Sequence, residues 1–378
     1  MVSVKSLCLC LLAIGQLQCA RSGASDRIRE APFDTNLRPA SPSFSLVLSQ
    51  NVLYLVFAER ASSAIVLVEA EAPGSPEAPF ALKTVSYLDR ISDQPAADAL
   101  FGAHLFFTEG GDRHLFYVDR KADEQILLKH VRWAAAGGNA LIDVLPFSGR
   151  PIWACRNEDG TMEVFYEKER GLFRQTVKPS SASELLISPF DSAGAVSLLD
   201  GRDVRGFTAY DHVSQRLILF LRRGSSFSRH PVARFGAVHS CASAEDGSVR
   251  IAAFDQQHSR IVLFRQSQPD SDFEERLLAP AREVGCLGVF FHRGLPFYLY
   301  SERSEPGAGE DPYRLALLAP ESGRPMTRYR RYILCSGPIP ILRFRSVIDA
   351  DLLYVAYLQD SVRLLRLDLR NYLRSESD

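Results

Sequence analysis

An all-β chain assembled from seven copies of one antiparallel unit is what this sequence predicts, on three observations. Residues 249–264 (VRIAAFDQQHSRIVLF) alternate apolar and polar positions on both sides of a polar turn, the pattern of a β-hairpin. Similar stretches recur at 52–68, 104–118, 152–166, 204–221, 295–318 and 352–367, with first strands beginning roughly 45 to 57 residues apart. No window of comparable length carries a 3.6-residue apolar period, so little helix is expected.

Each hairpin extends to four strands by adding one apolar run before it and one after. In the fifth unit these runs are 237–244, 249–255, 260–266 and 273–278, with AEDGS and QQHS as turns. The first unit follows with 43–48, 52–58, 64–70 and 80–85, and the third with 141–147, 151–156, 162–167 and 172–177. Short connections favour antiparallel neighbours. The sixth unit carries an insertion, SERSEPGAGEDP at 301–312, whose Pro, Gly and acids predict an exposed loop. The seventh supplies 339–344, 352–358 and 362–369 but no clear fourth strand. The piece at 28–33 is a candidate to fill that place and close the ring, leaving 373–378 as a tail. Closure removes the exposed sheet edges that invite aggregation, so one ring is preferred to a row of separate β domains.

Over residues 44–372 the chain therefore resembles the β-propeller superfamily, and the resemblance implies a single seven-bladed β-propeller of four-stranded antiparallel blades. It rests on the hairpin repeat. The Gly-His and Trp-Asp pairs of the WD type and the Ser-x-Asp-x-Gly-x-Thr-Trp box of the sialidase type are absent. The chain has 2 tryptophans, Trp133 and Trp153, which also sets it apart from the tryptophan-docked propellers that hold a quinone.

The first residues follow a different logic. Lys5 precedes the apolar run at 7–14, and Gly15, Ala20, Gly23 and Ala24 follow, which is the order of a secretory signal peptide over residues 1–20. An extracytoplasmic location in the periplasm, cell envelope or secreted fraction is expected, with residues 21–43 as a leader crossing the surface. Cys19 closes this segment and is a candidate lipidation site, although Gln16 and Gln18 occupy positions where that processing prefers small and apolar residues. Membrane attachment is expected only through such a lipid. The cysteines beyond it, Cys155, Cys241, Cys286 and Cys335, match no zinc spacing. Cys155 and Cys241 sit in apolar strand contexts as buried thiols, with a single disulfide as the alternative.

Net charge is -1, so no global field recruits nucleic acid. The run RYRRY at 328–332 is assigned to the solvated outer strand of the sixth blade. Ligands of such rings sit where loops converge at a channel mouth, which makes Asp89, Arg90, Asp93, Arg282 and Glu283 candidate binding-face residues. His239, beside Cys241 on an inner strand, joins them, with a hydrogen-bonded structural role as its competing reading. No GxSxG, HExxH or phosphate-cradling loop occurs, and neither a cofactor nor a metal is implied. The expectation is a non-enzymatic binding or scaffold propeller of a bacterial envelope, with an envelope or extracellular protein as partner. The alternative is a carbohydrate-active hydrolase or metal-dependent lactonase using acids at the channel mouth.

Overall fold

The computed structural model describes residues 33–60, 62, 64–72, 80–90, 104–107, 113–120, 126–133, 141–145, 149–156, 161–177, 183–192, 196–200, 205–224, 226–268, 271–304, 311–321 and 328–373. They form seven four-stranded antiparallel sheets, and the strands of each follow one another from the inside of the ring to its rim. This is a seven-bladed β-propeller. Blades 1 to 7 span residues 39–90, 104–144, 150–187, 196–233, 239–280, 286–337 and 343–368, the last completed by Phe33–Asp34.

Burial follows position within a blade. Second strands such as Val249–Asp255 and Leu352–Leu358 are buried at every residue, because a neighbouring blade covers each face. The outer strand Leu141–Val144 is exposed throughout. Ring closure is visible in the core itself, where the buried apolar residues divide into seven clusters, each joining one pair of adjacent blades. The cluster that joins blade 7 to blade 1 packs Leu46, Phe57 and Val66 against Tyr354, Ala356 and Leu364.

The N-terminal strand Phe33–Asp34 pairs antiparallel with Val362–Asp368, aligning Phe33 with Leu364. Thr35 donates from its backbone nitrogen and its hydroxyl to the Val362 carbonyl at 3.1 and 2.7 Å, and Ser361 Oγ donates to Asp34 Oδ1 at 2.7 Å. One blade is thus shared by both ends of the chain, so closing the ring satisfies the edge of its last sheet. Residues 1–32, including Cys19 and most of the 28–33 candidate strand, lie outside the described residues.

Two units differ from the expected layout. In blades 2 and 3 the conspicuous hairpins at 104–118 and 152–166 are the first and second strands, whereas in the other five blades they are the second and third. Leu141–Val144 accordingly ends blade 2 instead of opening blade 3. Every neighbouring pair in an up-and-down blade is a hairpin, so alternation alone cannot rank them. The sixth blade's outer strand, Tyr329–Gly337, falls where the RYRRY run placed it. A single 3-10 turn, Leu369–Tyr372, follows the last strand, and among the described residues no helix is long and apolar enough to cross a membrane. Cys241, Cys286 and Cys335 are free thiols, Cys241 being buried.

Candidate functional site at the upper face

All inner strands run the same way through the ring. The end where they begin, called upper here, gathers the links between blades and the turns between second and third strands. Buried aspartates shape two of those turns. Asp211 accepts from Ser214 Oγ at 2.6 Å and from the Val213 nitrogen at 3.1 Å, and Asp255 accepts from His258 Nδ1 at 2.7 Å and Arg260 Nε at 2.9 Å. Burial alone would raise these carboxyls, but the donated hydrogen bonds outweigh it and hold both below the ordinary aspartate value.

Between blades 5 and 6 the upper face opens into a cavity of about 610 Å³. Arg282 from the inter-blade link, Glu302 and Arg303 from the end of the second strand Leu295–Arg303, Arg314 from the third and Arg331 from the outer strand supply its charged lining. Glu302 is 5% exposed and pairs with Arg331, whose guanidinium carbon stands 5.8 Å from the centroid of the Tyr300 ring. Glu283, beside Arg282, forms an exposed ion pair with Arg303 at 3.2 Å. The Glu283 backbone is left-handed, with φ 42, a conformation a non-glycine residue holds only where its surroundings impose it. Four arginines thus face one buried carboxylate, in a chain whose net charge is -1.

Nearer the axis, the upper ends of four inner strands bring together Arg150 of blade 3, His239 of blade 5, Cys286 of blade 6 and Arg343 of blade 7. Arg343 feels the charge of Arg150 and interacts electrostatically with Cys286 and His239, so residues of different blades meet across the channel. Arg150 is committed to Glu167 and Ser192, and Ser192 Oγ also donates to Glu167 Oε2 at 2.6 Å. Arg345 is exposed by surface area, yet its guanidinium is lowered to about 9 by desolvation and then by the charge of Arg343. A side chain on an inner strand meets both conditions when it projects into the water of the channel with blades on every side. Burial raises the Cys286 thiol, and Ser301 Oγ accepts the Cys286 amide at 3.1 Å.

The sequence-derived candidates separate under this geometry. Arg282 lines the blade 5–6 cavity, and Glu283 borders it through its ion pair with the lining residue Arg303. Asp89 and Arg90 end the outer strand of blade 1, Ala81–Arg90, and Asp93 lies outside the described residues. His239 opens an inner strand as expected, but its Nδ1 faces the Gly236 carbonyl at 2.8 Å and its Nε2 the Thr208 carbonyl at 3.2 Å. Burial lowers its pKa, so the ring is neutral and its one N–H donates to one of these backbone carbonyls, a structural role at the contact between blades 4 and 5. Sequence reasoning passed over Arg314, Arg343 and Arg345, held Arg331 to be a solvated outer-strand residue, and placed Glu302 in the exposed insertion at 301–312; Ser301 and Glu302 instead continue the second strand and are buried there. Arg-x-Arg at 343–345, two like charges two positions apart on an inner strand, was the available signal.

No family model matches the chain, and no curated protein matches it in sequence. Solved structures do. A streptogramin B lyase shares 11% identity with a TM-score of 0.56, covering 92% of this chain and 100% of its own. A catalytically inactive virginiamycin B lyase from Staphylococcus aureus with quinupristin shares 10% identity at TM-score 0.53, covering 90% and 98%. YCF48 bound to D1 peptide shares 14% at 0.54, covering 93% and 98%. The chain spans 66% of a Hadza microbial sialidase, which superposes at 0.45.

These likenesses establish the propeller fold. They also correct the expectation of a non-enzymatic scaffold: two of the structures that superpose above a TM-score of 0.5 are lyases, so the lack of a sequence motif on such a ring is no sign of an inert module.

Proposed function

We propose that this chain is a carbohydrate-active hydrolase working in the cavity between blades 5 and 6, on a substrate that bears acidic groups. The observation that carries this reading is Glu302, a buried carboxylate opening onto a cavity whose other charged lining is arginine. Hydrolysis of a glycosidic bond needs two carboxyl groups beside the scissile oxygen, one to donate a proton and one to activate water or attack directly. Glu302 is assigned as one of them and Glu283 as the other. Arg282 and Arg314 supply forked donors that fit a carboxylate or sulfate on the sugar. Among the described residues no three His, Cys, Asp or Glu side chains converge as metal ligands, so the lactonase alternative draws no support from the site. An extracytoplasmic place of action is part of the proposal, supported by the order of residues at the N-terminus.

The test is release of reducing ends from uronate-containing oligosaccharides, with neutral oligosaccharides in parallel. Turnover of the acidic substrates and its loss in Glu302→Gln are expected. Turnover confined to neutral sugars, or full activity in that variant, would overturn the assignment.

A further inference from the structure

We infer that the upper mouth of the central channel is a separate anion site, in which Arg343 and Arg345 together clamp one oxyanion group, a carboxylate, sulfate or phosphate. The two residues are two positions apart on the inner strand Arg343–Asp349, so both side chains leave the same face of that strand. Neither makes an ion pair or a side-chain hydrogen bond among the described residues. No Asp or Glu figures among the charges acting on them; the electrostatic neighbours of Arg343 are Arg150, Cys286 and His239, and those of Arg345 are Arg343 and Cys286. Two guanidinium groups held side by side repel, and the arrangement is relieved by an anion that both can grip.

The groups around the pair leave that place open. Arg150 spends its hydrogen bonds on Glu167 and Ser192, so it contributes positive field without becoming a ligand. His239 lies between two backbone carbonyls, donates its one N–H to one of them, and forms wall. The Cys286 thiol, raised by burial, stays protonated at neutral pH and adds no negative charge. The mouth is therefore cationic and uncompensated within the described residues. The inference does not depend on catalysis in the blade 5–6 cavity, since it uses none of that cavity's side chains.

Thermal unfolding of the full chain in sodium sulfate, against sodium chloride of equal ionic strength, tests the site. Sulfate stabilises proteins generally through exclusion from their surface, so the informative signal is a saturating rise in Tm above that gradual trend. The wild type is expected to show it, and Arg345→Gln and Arg343→Gln to weaken the apparent affinity by about tenfold or more. Glu302→Gln is expected to keep the wild-type response, which separates this site from the cavity. Competition by glucuronate would assign the clamp to the carboxylate of a sugar acid, and a response to sulfate or phosphate alone would assign it to a free inorganic anion. A wild-type curve equal to that in chloride, an unchanged curve in both arginine variants, or its loss in Glu302→Gln would overturn the inference. Far-UV circular dichroism of each variant confirms that it is folded.

Discussion

The two mouths of the ring carry different chemistry. The lower one, between blades 7 and 1, holds the larger cavity, about 820 Å³, lined by Leu46, Val47, Leu48, Val347, Ile348 and Asp349 among others. Its smaller upper counterpart is lined by four arginines and Glu302. Tight turns account for part of the contrast. The lower hairpins of blades 1 and 7 reverse at Gln50–Asn51 and at Ala350–Asp351, with Gln50, Asn51 and Ala350 left-handed, and such turns spend their residues on geometry. The upper cavity takes its charge from the inter-blade link at Arg282 and from strand residues Glu302, Arg303, Arg314 and Arg331, which are free of such a constraint. Volume therefore does not mark the site; convergence of charge from several strands does.

The most severe way to break this comparison is to remove one carboxylate from each mouth. Glu302→Gln should lower hydrolysis by about a thousandfold, the scale of a lost acid or base. Asp349→Asn should leave it within about twofold. Equal losses in the two variants would move the active site to the channel or the lower face.

A smaller effect separates stability from either mouth. In blade 2, His130 is 4% exposed, stacks on Phe116 with centroids 4.5 Å apart, and lies 3.0 Å from His114 through its Nε2. Burial, then the charges of His114 and Arg132, lower it to about 4 from 6.5. The unfolded chain takes up this proton first. The contribution is thus complete above pH 6.5 and is lost as pH falls toward 4, by about 3 kcal/mol. Urea unfolding at pH 7 and pH 4.5 measures it. His130→Gln should flatten the difference, and an unchanged pH dependence in that variant would place the acid sensitivity elsewhere.

At the upper cavity, Arg331→Ala leaves Glu302 buried without its cation and should destabilise by about 2 kcal/mol. The exposed partner pair argues for a control, because Arg303→Ala should cost under about 1 kcal/mol. If both variants melt alike, Glu302 is not the buried charge on which the site depends.

The mildest prediction has the opposite sign. Arg345→Gln removes one of two neighbouring uncompensated cations and should stabilise the protein in anion-free, low-salt buffer. Because the group opens to channel water, screening limits the gain to about 1 kcal/mol, and added salt should erase it. Destabilisation instead would mean that Arg345 already has a partner.

Much of the ring was legible in advance because a blade is local. Its strands are sequence neighbours, so the apolar alternation at 249–255 and 260–266 marks one hairpin whatever the remainder of the chain does. Which hairpin lies innermost was not legible, as blades 2 and 3 show, since rank within a blade depends on the adjacent blades. Arg282 and Glu283 could be picked out because a link between blades must emerge at a face. Glu302 and Arg331 are 29 residues apart in the numbering, on the second and outer strands of blade 6. Nothing in either local sequence announces the other.

What the sequence by itself determined is the antiparallel unit, its sevenfold repetition and the charge of its turns, because hydrogen-bonded hairpins and alternating burial are short-range properties. What the tertiary structure alone decided is which charges meet. Closing the ring, with Phe33–Asp34 laid against Val362–Asp368, brings Arg150 of blade 3 within reach of Arg343 of blade 7 and sets blade 6 against blade 5. Electrostatic interaction depends on distance through space, and only the packing of one blade on the next sets that distance.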